Sequence, residues 1–136
     1  VPDPTHFSCP GRLEQVQHLT AHLKRCCTDR HVPDAALVDL ELALVEAANN
    51  IVLHGYAGRS DGVIHLQVRL EDGMVALELS DDGAPMQEGL LLACRPFSLE
   101  GESGRGIGII QSCIDRIDYH IQDGVNHLAL VKFFSP

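Results

Sequence analysis

Three groups of residues in this sequence have the types and spacing to do chemistry. The first is Glu46, Asn50 and His54, four residues apart within LELALVEAANNIVLHG, from Leu40 to Gly55. On a helix, positions i, i+4 and i+8 stack along one face. A carboxylate and an amide on an otherwise apolar helix need partners, because burying them unpaired is costly. Their stripe therefore predicts the wall of a pocket. The second group is Asp81 with Gly83. Asp81 shares strand parity with Val75, Leu77 and Leu79, so its carboxylate points toward the interior or a pocket, away from bulk water. The third is GESGRGIG, residues 101–108. Glycines opening a helix leave backbone N–H groups and the positive dipole end free for an anion, typically phosphate. No strand immediately precedes them, which argues against a Rossmann fingerprint. Each group also has a purely structural account: a satisfied Glu–Asn pair, a turn former and a plain helix start.

The elements that must position these groups follow from periodicity. Thr5 to Cys9 has the composition of a short edge strand, and Gly11 to Thr28 repeats apolar residues at helical spacing. His18 and His22 sit at i,i+4 on that helix, but with no third ligand they are read as solvated histidines and carry no site. Asp34 is placed to cap a second helix running from about Ala35 to His54 and ended by Gly55. Val63 to Leu70 alternates as a half-buried strand, Asp72-Gly73 marks a hairpin, and the return strand ends at Asp81. About twenty residues without a clear period then run to Ser103, a length typical of functional lids. Leu90, Leu91 and Leu92 form a short helix in this reading. Ile107, Ile110, Ile114 and Ile117 keep helical spacing beyond it. Two last strands, Arg116 to Ile121 and His127 to Phe133, flank a turn at Asp123-Gly124. This order predicts an α+β fold, a mainly antiparallel sheet with helices on one face, in a single domain.

Composition narrows the classes of function. Nineteen acidic residues against ten basic ones leave a net charge of −9, which disfavours a nucleic-acid backbone as the main partner. The five cysteines include no C-x-x-C pair, so a disulfide framework or zinc ribbon does not fit and a reducing compartment does. No apolar run reaches transmembrane length and no charged-then-apolar leader opens the sequence. These features predict a cytoplasmic protein with no membrane partner.

Taken in order, Glu-x-x-x-Asn on a helix, Asp-x-Gly after a strand and a glycine-rich helix start resemble the Bergerat-fold (GHKL) ATPases. That group includes gyrase, heat-shock chaperones, histidine kinases and mismatch-repair proteins. The run EAANNIVLHGY, Glu46 to Tyr56, is most similar to the bacterial anti-sigma-factor serine kinases. The resemblance covers nearly the whole chain and implies a two-layer α/β sandwich with an ATP lid at about residues 84–104. It implies that Asn50 coordinates the Mg²⁺ that bridges the ATP phosphates, that Glu46 is the general base, and that Asp81 accepts a hydrogen bond from the adenine amino group. Gly83 belongs to the adenine motif. Gly104, Gly106 and Gly108 would close on the phosphates, with Ser103 and Arg105 as lid contacts. His54 matches the family motif and equally suits a structural role at the helix end. Where the broad family has a second glycine two positions after Gly83, this chain has Pro85.

The function so implied is an anti-sigma factor and ATP-dependent protein-serine kinase. It would phosphorylate a STAS-domain anti-anti-sigma partner, regulate a sigma factor and act as a homodimer without touching nucleic acid directly. The rival is a nucleotide-gated binding module that sequesters a partner without phosphoryl transfer. A third reading, the ATP-binding part of a two-component histidine kinase, fits less well, because no dimerisation-histidine helix precedes the domain.

Overall fold

The computed structural model describes residues 5–86 and 102–135. Five strands form one open sheet: β1 (His6–Pro10), β2 (Val63–Glu71), β3 (Met74–Asp81), β4 (Arg116–Gln122) and β5 (Val125–Phe133). Their spatial order is β1-β2-β3-β5-β4, and every neighbouring pair is antiparallel. Alternation explains the faces. Ile64, Leu66 and Val68 of β2, Val75, Leu77 and Leu79 of β3, and Leu128 and Leu130 of β5 are buried on the inner side. Three helices cover it: α1 (Val16–Cys27), α2 (Asp34–Asn50) and α3 (Glu102–Cys113). Leu19 and Leu23 of α1 and Leu40 and Leu44 of α2 meet those strands in one apolar core. The α+β, two-layer architecture expected from the sequence is the one observed. No helix among the described residues is long and apolar enough to cross a membrane.

Several local expectations are corrected. Asp34 does not cap α2; Pro33 holds the cap position with no side-chain hydrogen bond. Asp34 is instead the first helical residue, where its charge complements the helix dipole. His22 is not solvated. It is 5% exposed, stacks on Phe7 with ring centroids 5.1 Å apart, and its Nε2 lies 3.0 Å from the Thr5 carbonyl oxygen, tying α1 to the start of β1. His18 is exposed.

The central helix does not stop at Gly55 either. Past Asn50 it widens into a π-helical turn over Ile51–Tyr56 and ends at Ala57 in the left-handed region, φ 32°. Burial of Tyr56 accounts for this extension, since such turns re-aim side chains and gather near functional sites. The Tyr56 ring is 2% exposed, and a Cβ on Gly11 or Gly62 would stand 2.6 or 2.7 Å from it, so both glycines give it room. Its hydroxyl donates to the Val63 carbonyl at the start of β2.

Helix α3 is described from Glu102, so Gly104, Gly106 and Gly108 lie within it. Each glycine in a helix costs about 1 kcal/mol relative to alanine, so GESGRGIG by itself is a poor helix former. Packing of α3 against α2, with Ile110 fully buried, overrides that local cost. The expected short helix at Leu90 to Leu92 lies outside the described residues.

Candidate functional site

A cleft with a cavity of about 250 Å³ opens where the π-helical turn after α2 meets the ends of β3 and β5. Asn50, Ile51, His54 and Gly55 line one side, Asp81 and Asn126 the floor, and Ala84, Pro85, Met86 and Tyr119 the rest. The structure thus brings Asn50, His54 and Asp81 to one cavity. Glu46 is half-buried on α2 one turn before Asn50 and is not part of the cavity wall.

Asp81 is 8% exposed, a carboxylate held inside the fold. Its Oδ1 accepts two hydrogen bonds, from Nδ2 of Asn126 and from the Gly83 N–H, both at 2.9 Å. The Asn126 amide also donates to the Gly83 carbonyl at 3.0 Å. Both bonds to Asp81 fall on Oδ1. Asp81 also lines the cleft, and among the described residues no buried side-chain nitrogen or oxygen lacks a partner. Burial pushes the Asp81 carboxyl above the usual carboxylate range, and the Asn126 and Gly83 donors pull it part of the way back. The arrangement makes a positioned acceptor facing a cleft.

The loop after β3 is fixed by close backbone contact. Ala84 N–H donates to the Gly55 carbonyl at 2.7 Å. A Cβ on Gly83 would stand 2.5 Å from that same carbonyl oxygen, closer than real Cβ contacts. Only glycine lets the loop lie against the turn after α2. Gly83→Ala is expected to destabilise the fold by about 1–3 kcal/mol, the usual range for forced overpacking. Denaturant unfolding measures it, and an unchanged midpoint would contradict the close approach. Outside the cleft, Arg59 reaches Asp82 through its carboxylate at 3.4 Å and its carbonyl at 3.2 Å, and lies 5.1 Å from the centre of the Tyr56 ring.

Of the glycine-rich group, Ser103, Gly104, Arg105 and Gly106 belong to the opening of α3, and Gly108 is half-buried further along it. The first N–H groups of a helix have no intrahelical acceptor and suit an anion. Residues 87–101 of the expected lid lie outside the described residues.

Asn126, Tyr119 and Gly55 were not singled out from the sequence as site residues. Asn126 had a detectable signal. It continues the inward parity of Leu128 and Leu130, as Asp81 continues that of Leu79, but starting the strand at His127 hid it. Asp81 and Asn126 are direct cross-strand partners in the observed register. Tyr119 and Gly55 carry no such pattern.

Comparison with known proteins follows this geometry. A family model described as a histidine kinase-like ATPase domain matches residues 9–132. An anti-sigma F factor of Clostridium botulinum is 34% identical over 82 residues, covering 57% of this chain and 56% of that protein. An anti-sigma F factor of Bacillus cereus is 33% identical over 86 residues, covering 60% of this chain and 58% of that protein. The matched stretch spans little more than half the length of these curated relatives. Among solved structures, a histidine kinase domain of the blue-light activated histidine kinase of Erythrobacter litoralis matches with a TM-score of 0.56 at 14% identity. That match covers 92% of this chain and 61% of the other. It is a likeness of fold.

Proposed function

Since the chain belongs to the family of histidine kinase-like ATPase domains, we propose that it is an anti-sigma factor and an ATP-dependent protein-serine kinase. Its protein substrate in this reading is a STAS-domain anti-anti-sigma partner, and the regulated protein is a sigma factor. The relatives named anti-sigma F factor support the first part. The observation that carries the nucleotide site is Asp81, buried, fixed through Oδ1 and lining the same cleft as Asn50.

The donor set fits ATP with Mg²⁺. A buried carboxylate oxygen suits the adenine amino group, and the Asn50 amide oxygen is a hard ligand of the kind Mg²⁺ accepts beside phosphates and water. When bound, Mg-ATP supplies the phosphoryl group and neutralises charge developing in its transfer. Asp81 would orient the base, with Gly83 keeping the loop close. Asn50 would hold the metal. Ser103, Gly104 and Arg105, in the first turn of α3, would present backbone N–H groups to the phosphates, and Gly106 and Gly108, without side chains, would let the helix lie close to them. Glu46 would take the proton from the attacking serine hydroxyl. We take residues 1–136 as one ATPase domain, acting as a cytoplasmic homodimer.

A second reading needs the cleft but not the general base. A nucleotide-gated binding module, which sequesters a partner without phosphoryl transfer, would use Asn50 and Asp81 on the cavity wall and not Glu46, which lies off it. Incubation with labelled ATP, Mg²⁺ and a candidate STAS-domain protein from the same genome separates the two. The kinase reading expects label on a serine of that protein. ATP binding with no transfer leaves the module, and no ATP binding removes both.

A further inference from the structure

Tyr119 projects from β4 into the same cleft, and its hydroxyl oxygen accepts the Met86 N–H at 2.8 Å. That bond completes a series along the rim. Gly83 N–H is held by Asp81, Ala84 N–H by the Gly55 carbonyl, Pro85 has no N–H, and Met86 N–H is held by Tyr119. Every available N–H from 83 to 86 therefore has an acceptor in a different element: β3, the π-helical turn and β4. The ring of Pro85 fixes φ as well, so this strap has little freedom left. Three of its residues, Ala84, Pro85 and Met86, form cavity wall.

We propose that Tyr119 is a positioning residue for the nucleotide base, holding the 84–86 strap as a preformed wall through the Met86 N–H. The proposal rests on the reading of the cleft as an ATP site. Without the latch, the strap must be ordered each time a ligand binds, and that ordering is subtracted from affinity. Burial pushes the Tyr119 hydroxyl above its ordinary range, and its oxygen accepts the Met86 N–H whether or not it is protonated.

Tyr119→Phe keeps the ring and removes only the acceptor. Loss of one neutral hydrogen bond predicts roughly a three- to tenfold rise in Kd for both ATP and ADP, which share the base. The KM for ATP should rise by a similar factor, while kcat at saturating ATP stays at the wild-type value. Amide hydrogen exchange in the nucleotide-free protein should accelerate at Met86 and remain unchanged in the core strands. Wild-type Kd values, or weakened binding with no change at Met86, overturn the latch. Failure of the wild-type protein to bind ATP or ADP is a different result; it overturns the nucleotide reading and removes the latch's purpose with it.

Discussion

Glu46→Gln is expected to slow phosphoryl transfer to a STAS-domain serine by roughly a hundredfold or more while leaving ATP affinity nearly intact, the usual scale for a lost general base. Glu46 sits half-buried on α2 and off the cavity wall, so a bound nucleotide in its ground state has little to lose by the change. Asn50 does line the cavity. Asn50→Ala should therefore weaken Mg²⁺-dependent ATP binding and abolish transfer together. Sigma binding should survive in Glu46→Gln, giving a protein that sequesters its partner but cannot be reset by phosphorylation. A purely structural Glu46–Asn50 pair predicts otherwise: both variants would melt lower and damage binding alike. Melting temperature, ATP affinity and serine phosphorylation on the two variants decide the matter. Wild-type transfer in a well-folded Glu46→Gln protein would sink the general-base role.

Asp81→Asn should give a protein that is more stable at neutral pH and binds ATP about ten- to a hundredfold more weakly. The asparagine carbonyl can keep both bonds that Asp81 Oδ1 accepts, from Asn126 and Gly83. The change falls on the other position, where an acceptor facing the adenine amino group becomes a donor. A lost hydrogen bond to a charged acceptor costs about 1.5–3 kcal/mol, which is that range of affinity. Stability moves the other way. Burial raises the folded-state pKa of Asp81 above the ordinary carboxylate range. Its contribution to stability is therefore fully present below that ordinary range and is lost as pH rises through the raised value. Ionised Asp81 is a burden at pH 7 that asparagine removes. The gain in melting temperature should accordingly shrink toward zero as the pH falls below about 4, where the carboxyl is protonated in either state. Calorimetric titration with ATP and melting curves at the two pH values measure both effects. Unchanged affinity would refute the adenine contact, and a lower melting temperature at pH 7 would refute the burden.

Much of this protein is legible without coordinates. Period-two alternation in Val63 to Leu70 and in Val75 to Asp81 determines which face of each strand is apolar, and it marks Asp81 as a carboxylate on the wrong side. Period-four spacing puts Glu46 and Asn50 on one stripe of a helix. Both are local properties, set by backbone geometry a few residues at a time. What the tertiary structure decided is where distant segments meet. Asn126 reaches Asp81 across 45 residues of sequence. The contact exists because β5 pairs with β3 rather than only with its hairpin neighbour β4. Gly83 lies on the Gly55 carbonyl, although as letters one reads as a turn and the other as a helix stop. Burial of Tyr56 between Gly11 and Gly62 carries the central helix past its apparent end, and packing on α2 carries α3 through glycines that disfavour a helix. In these last two cases the free energy of burying apolar surface between elements exceeds the roughly 1 kcal/mol preferences that single residues express.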